Sequence, residues 1–399
     1  MYDYIIIGGG IVGLSVGMAL LNEKPKAKVA VLEKEKHVAA HQTGHNSGVI
    51  HSGIYYKPGS YKAKLAKKGN ETMRRFCQQH EIDVEICGKV IVASDEEELS
   101  LLNRLYNRGI ENGLEIRLIE KGELLELEPH VNGVQAIYVP TAGIVNYKKV
   151  AEKMAEIIQE KGGHILLNHM VESITETANE VVIDTNQGTI KGAFYINCAG
   201  LHSDRIAKLA NIQTDVRIVP FRGEYYQLKP EKRHLVKNLI YPVPNPNFPF
   251  LGVHFTRMID GTVDVGPNAV LSFKREGYLK TDFSLHDMRD VLYFKGFWKL
   301  ASQYMKEGIE EMVRSFSKRQ FVKSVQKLMP DIQETDLLPG PSGVRAQALK
   351  EDGTLVDDFY IVHGNCSIHI LNAPSPAATA SIEIGKEIIR RLEKLRVVV

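Results

Sequence analysis

The sequence predicts an α/β protein in which a buried parallel sheet is interleaved with an α+β domain built on a mostly antiparallel sheet. Three observations carry this. The chain opens as strand, helix, strand, with both strands apolar throughout rather than alternating, as befits a parallel sheet covered on both faces. Short strands joined by turn residues follow near residues 164–191, and a stretch rich in Pro and aromatics runs from Arg217 to Gly266. There is no low-complexity linker and no repeat, so the two domains are expected to interleave, the first from residues 1–85, 145–215 and 335–399, the second from 86–144 and 216–334.

Taken in order, Tyr2 to Ile7 reads as a short apolar strand, Ile11 to Leu21 as a helix and Val29 to Leu32 as the next strand, ending at Glu33. Val90 to Ala93 is a strand, and Asp95 to Asn112 a helix whose first turn is acidic, where it suits the helix dipole. Tyr147 to Lys161 is an amphipathic helix stopped by Gly162 and Gly163. Strands are expected at His164 to Leu167, Val171 to Ile174, Val181 to Thr185, Thr189 to Lys191 and Tyr195 to Ala199. Glu224 to Leu228 and Gly252 to Thr256 are strand-like, Ser284 to Leu328 is helical, and Ala377 to Leu395 closes the chain as a helix.

Composition removes several classes of function. Lys plus Arg at 50 against Asp plus Glu at 48 leaves a formal charge of +2, without the positive field that draws proteins onto nucleic acid. Hydrophobic residues at 44% exclude disorder. The four cysteines form no C-x-x-C pair, so reduced thiols are expected, with neither a disulfide framework nor a metal site. Tyr2 to Ile7 has no basic region or apolar signal core before it, and no apolar run reaches the roughly 18 residues of a membrane span. A cytoplasmic protein is expected, at most peripheral on the inner face of the cell membrane.

Gly8-Gly9-Gly10-Ile11-Val12-Gly13 is a GxGxxG between strand and helix, and Glu33 ends the next strand about 20 residues later. This is the Rossmann-like arrangement. Gly8 permits the tight turn, Gly10 lets backbone approach a pyrophosphate, Gly13 lets helix pack on strand, and the helix N-terminus offers N–H donors. Glu33 suits a ribose hydroxyl and disfavours a 2'-phosphate, which leaves NAD or FAD. His41 to Tyr56, HQTGHNSGVIHSGIYY, follows with small residues that let backbone run against a flat cofactor; read without that context it is a polar surface loop.

That loop, GGGIVG, INCAG (196–200), FRGEYYQL (221–228), LIYPVPNPNFPFLGVHFTR (239–257) and NAPSPAATAS (372–381) together resemble the L-2-hydroxyglutarate dehydrogenase/oxidase family, of the D-amino-acid oxidase type of flavoproteins. The resemblance implies noncovalent FAD and oxidation of an L-2-hydroxy dicarboxylic acid to its 2-oxo acid, with electrons passing to quinone or oxygen. It assigns Gly8, Gly10, Gly13, Glu33 and Lys34 to the ADP part and Thr43, Gly44, Asn46, Ser47 and Gly48 to the loop over the flavin. Val171 would meet the adenine through backbone, Ala199 and Gly200 the pyrophosphate, and Gly343 with Asn372, Ala373, Pro374 and Ser375 the ribityl chain and flavin edge.

Taking hydride from the substrate carbon sends the hydroxyl proton to a base, and His51 and His254 both qualify. His51 is preferred because it lies within the loop over the flavin. Tyr55 and Tyr56 are candidates to hold substrate, against the plainer reading as core tyrosines. Two carboxylates call for two cations: Arg345 for the one beside the reacting carbon, Arg257 and Lys57 for the distal one. Phe294, Phe297 and Trp298 among Lys295, Lys299 and Lys306 read as an amphipathic helix packed on its own domain, or as a face resting on an anionic membrane. The rival activity is an amino-acid or amine oxidase of the glycine oxidase type; a flavin-binding protein without turnover is a third reading.

Overall fold

The computed structural model describes residues 1–177, 180–245 and 251–397, so 246–250 of the aromatic motif lie outside the described residues. The first sheet has eight strands. Five run parallel, in the order His164–Leu166, Val29–Leu32, Tyr2–Ile7, Gly188–Asn197 and Ser367–Asn372. The hairpin Val171–Glu176 and Val181–Thr185 adds antiparallel onto the early half of Gly188–Asn197, and Tyr360–His363 adds onto Ser367–Asn372. Both faces are covered, which is why Tyr2–Ile7 shows no alternation. Tyr4 and Ile6 pack among the helices Ile11–Glu23, Tyr147–Glu160 and Ala377–Val397, while Ile5 and Ile7 pack against Ile174, Ile183 and Ile206. The two strands expected at Thr189 to Lys191 and Tyr195 to Ala199 are one, because Gly192 and Ala193 continue the pairing with Tyr2–Ile7.

The second sheet also has eight strands, in the order Leu337–Lys350, Val216–Leu228, Val263–Leu271, His254–Arg257, Leu239–Pro242, Lys89–Ala93, Gln135–Val139 and Arg117–Glu120. Every pair is antiparallel except Leu239–Pro242 with Lys89–Ala93. The sequence boundary at residue 335 put Leu337–Lys350 with the nucleotide domain; its pairing with Val216–Leu228 along nearly the whole strand makes it the edge of the second sheet. Residues 285–325 form four short helices rather than a continuous one. The helix Tyr61–Gln79, unforeseen because its mean hydropathy is low, crosses the final helix so closely that a Cβ on Gly69 would lie 2.6 Å from Ala380 Cα.

The two sheets are joined by charge. Asp204 of the helix Ser203–Leu209 forms a buried bidentate pair with Arg275, and Arg205 beside it reaches Asp287 and Asp290 at 2.6 Å. Burial raises the Asp204 pKa, and the Arg275 guanidinium more than offsets this, so the carboxyl stays below its ordinary range.

Candidate active site

The nucleotide corner is dictated by glycines. Gly8 has φ +115°, and a Cβ there would lie 2.5 Å from the Cys198 carbonyl oxygen. At Gly13 a Cβ would lie 2.0 Å from the Gly8 oxygen, so helix and strand touch backbone to backbone. Gly10 differs: its nearest obstacle is Thr43 Oγ1 at 3.4 Å, and it opens on empty volume. Thr43 accepts from Ile11 N at 3.0 Å, tying the loop to the first turn of the helix. Glu33 is buried, accepting from Gly9 N at 2.8 Å and Glu35 N at 2.9 Å. A cavity of about 1210 Å³ runs along this corner, lined by Gly8, Glu33, Lys34, Val171, Ala199 and Gly200 among others. Glu35, His41 and Glu276 converge at its edge in the manner of metal ligands, but the Lys34 ammonium already bridges both carboxylates, 2.7 Å from Glu276. Burial pushes Glu276 up; hydrogen bonds from His202 and Lys34 outweigh that and hold it at about 2.

A second cavity of about 600 Å³ continues from the first, and both are walled by Gly10, Gln42, Thr43, Cys198 and Gly200. Asn46, Ser47, Gly343 and residues 372–375 line the second. Gly44 and Gly48 do not line it and instead let the loop turn: a Cβ would lie 2.6 Å from the Ala39 oxygen and 2.8 Å from the Val145 oxygen. Asn46 is a turn former, donating to the Thr43 oxygen at 2.6 Å and accepting from Gly48 N at 2.8 Å. Asn372 braces the neighbouring segment by donating to Val356 O and Asp358 O, both at 2.9 Å. The loop is latched to the second sheet, since Ala346 N donates to Gln42 Oε1 at 3.0 Å and Gly343 passes under the His45 carbonyl, which a Cβ would approach to 2.4 Å. Gln42 went unnoticed in the sequence, where nothing marks a loop glutamine as a latch.

At the far end of this cavity stand His51, His254, Tyr225, Tyr241 and Arg345. His51 is pinned through its backbone, donating to Thr379 Oγ1 and accepting from Asn70 Nδ2, each at 3.2 Å. His254 Nδ1 lies 2.8 Å from the Gly252 carbonyl; a carbonyl only accepts, so Nδ1 carries the proton and Nε2 keeps its lone pair. Burial, reinforced by Lys89 and Arg345, lowers both histidine pKa values, that of His254 to about 3. Both are neutral at physiological pH and competent to accept a proton. Tyr225 is pushed up to about 12 by burial and stays a neutral donor. Tyr56 is hydrogen-bonded with Ser375 just behind the wall, and burial raises its pKa.

Arg257 and Lys57 are elsewhere. Arg257 is paired with Glu85 at 3.0 Å and donates to the Lys237 carbonyl at 2.7 Å, because three residues along a strand turn it away from the His254 face. Lys57 is exposed and lines neither cavity. Lys89, Tyr225 and Tyr241, which do stand near the histidines, were not singled out from the sequence. Their proximity follows from strand pairing: Tyr241 lies across from His254 in the Ile240–Phe255 register, and Lys89 is paired with Leu239.

The two continuous cavities suit an extended dinucleotide. Gly10 is the discriminating observation, since only an occupant requires a glycine where the protein itself leaves room. The chain matches the family described as FAD dependent oxidoreductase over residues 3–391. It is 53% identical to an L-2-hydroxyglutarate dehydrogenase of Indibacter alkaliphilus over 96% of this chain and 97% of that one. It is 49% identical to the mitochondrial L-2-hydroxyglutarate dehydrogenase of Homo sapiens over 96% and 87%. Among solved structures, the L-alpha-glycerophosphate oxidase of Mycoplasma pneumoniae with FAD bound superposes with TM-score 0.80 at 24% identity, covering 98% of this chain and 94% of that one. Glycine oxidase of Geobacillus kaustophilus gives TM-score 0.71 at 19%, covering 98% and 95%. FAD is therefore the cofactor, and the chain belongs to the FAD-dependent oxidoreductases, in the branch that contains the L-2-hydroxyglutarate dehydrogenases.

Proposed function

We propose that the protein oxidises L-2-hydroxyglutarate to 2-oxoglutarate, and that this activity rather than amino-acid oxidation is what the site performs. The observation that carries it is the pairing of Arg345 with two neutral histidines at one end of the cavity beside the glycine loop. When bound, FAD accepts the two electrons and the hydrogen that leave the substrate carbon. The chain's own residues do the rest. Arg345 opens into the cavity and binds the carboxylate next to the reacting carbon with its planar fork. A neutral imidazole, His51 or His254, takes the hydroxyl proton, and Tyr225 stays protonated to hold the substrate oxygens by donation. The likeness to glycine oxidase extends to the fold alone, whereas the hydroxy-acid reading draws on relatives at about half identity across the chain. Anaerobic addition of L-2-hydroxyglutarate should bleach the visible flavin absorbance. Bleaching by glycine or D-amino acids with none by the hydroxy acid overturns the assignment.

For the electron acceptor we propose a quinone, reached from a membrane surface. Phe294 is buried and Phe297 packs in a small core, so the plainer reading holds for those two, but Trp298 is 57% exposed. Along the same run of short helices Tyr293, Met305, Ile309 and Phe316 are exposed as well, as are Lys295, Lys299 and Lys306. An apolar face rimmed by cations complements an anionic lipid surface. No helix among the described residues is long and apolar enough to cross a membrane. Sedimentation with phosphatidylglycerol vesicles should carry down the wild type and not Trp298→Asp. Turnover supported by oxygen at the same rate without quinone or vesicles argues for an oxidase.

A further inference from the structure

The geometry points to Lys89 as the cationic end of the substrate pocket, the residue that receives the carboxylate remote from the reacting carbon. This rests on the dicarboxylate reading given above and replaces Arg257 and Lys57 in that role. Lys89 is the first residue of a central strand of the second sheet and only 1% exposed. Among the described residues no hydrogen bond or ion pair reaches its ammonium. Aromatic faces surround it instead: Nζ lies 3.8 Å from the centroid of Tyr241 and 5.1 Å from that of Tyr55. The His254 ring stacks on the same Tyr241 ring at 3.9 Å and 19°. Two groups cannot both sit over one centroid on one face at that range, so ammonium and imidazole lie on opposite faces of Tyr241.

The stack runs across three neighbouring strands: Tyr241 and His254 wall the cavity, and Lys89 stands directly behind the Tyr241 ring. His51 feels Lys89 more strongly than it feels His254 or Arg345, which puts the ammonium in the same electrostatic space as the reaction end. A buried lysine without an anion is costly, and chains that keep one neutralise it or supply the anion from outside. Among the described residues no carboxylate acts on Lys89 itself, which feels Cys87; the groups around it are Tyr55, Tyr56, Tyr225, Tyr241, His51, His254 and Arg345, with Glu85 acting on Cys87 and Asp357 on Tyr56 one group further out. A substrate with a second carboxylate supplies what is missing. It also gives a physical basis for preferring a dicarboxylate, since a monocarboxylate leaves the ammonium uncompensated. Burial lowers the Lys89 pKa to about 7, so the free enzyme presents a mixture of charged and neutral forms, and an incoming anion draws the proton on.

Lys89→Met tests this on FAD-loaded enzyme, comparing L-2-hydroxyglutarate with L-2-hydroxypentanoate, in which a methyl replaces the distal carboxylate. The variant should raise KM for L-2-hydroxyglutarate on the order of 100-fold and leave the efficiency for L-2-hydroxypentanoate unchanged or improved. In wild type, affinity for the dicarboxylate should weaken as pH rises past about 7, where the free lysine loses its proton, and affinity for the monocarboxylate should not. Equal losses for both substrates assign Lys89 to structure and overturn the inference, as does no loss for either. Wild-type enzyme that fails to oxidise L-2-hydroxyglutarate at all refutes the function itself, a different result. Removing a buried charge in favour of Met does not threaten folding, and a retained flavin spectrum checks that.

Discussion

Gly10→Val and Gly13→Ala, three residues apart in one turn, should damage the nucleotide corner in opposite ways. Even the smallest side chain at Gly13 must displace the Gly8 carbonyl, which a Cβ would meet at 2.0 Å, and backbone cannot swing aside. Overpacking costs about 1 to 3 kcal/mol, and an obstacle made of backbone puts Gly13 at the upper end. At Gly10 the backbone sits at φ −79° and ψ 172°, open to any residue, and the protein offers only Thr43 Oγ1 at 3.4 Å. As an N-cap lacking a side-chain bond it loses at most about 1 kcal/mol on substitution. With roughly 2 cal/mol/K of unfolding entropy per residue over 399 residues, 1 kcal/mol shifts Tm by about 1 °C. The Gly13→Ala apoprotein should melt about 4 °C below wild type, and the Gly10→Val apoprotein within about 1 °C of it. Adding FAD at about a thousand times its Kd should raise wild type by a further 4 kcal/mol, or about 5 °C, and Gly10→Val not at all. Thermal scans with and without FAD, together with flavin-to-protein ratios, read both effects. A Gly10→Val protein that holds one flavin per chain, or whose apo form melts as low as Gly13→Ala, refutes the reasoning.

Two further substitutions probe the reaction end. Arg345→Lys keeps the charge and loses the fork, so substrate efficiency should fall by the equivalent of roughly 2 to 5 kcal/mol with flavin content intact; unchanged steady-state kinetics would reassign the residue to structure. For the base, the depressed histidine pKa values mean that the neutral, proton-accepting form persists well below pH 6.5 and fails only as pH falls towards the folded value, about 3 for His254. Anaerobic flavin reduction in wild type should therefore stay flat through neutrality and decline in acid. Of His51→Asn and His254→Asn, the variant of the true base should lose roughly 100-fold together with that acid limb, and if neither does, no histidine is the base.

How much of this was legible follows from what each residue depends on. Gly8, Gly13 and Glu33 act through contacts within one strand-turn-helix unit, and spacing along the chain reports such contacts faithfully. Lys89 is different. Its neighbours Tyr241 and His254 arrive from strands some 150 residues later, and nothing local separates a buried lysine opening a strand from a solvated one. Arg257 was misread for the same reason in reverse. It is close to His254 in sequence, but the period of the strand and an acidic partner at Glu85 take it away. The boundary at residue 335 failed because Leu337–Lys350 lacks a continuous apolar run, being an edge strand whose pairing partner lies over 100 residues upstream.

The latch between the glycine loop and the second sheet carries a consequence for how cofactor enters and leaves. Gln42, which walls both cavities, reaches Ala346, and His45 lies over Gly343, with His45 Nδ1 3.2 Å from the Ser342 carbonyl. Lifting the loop off the second sheet breaks those contacts, so cofactor exchange by that route is a local unfolding event. Flavin exchange should accelerate in mild denaturant well before the global transition, and loosening Gln42 by substitution should hasten exchange more than it weakens binding at equilibrium.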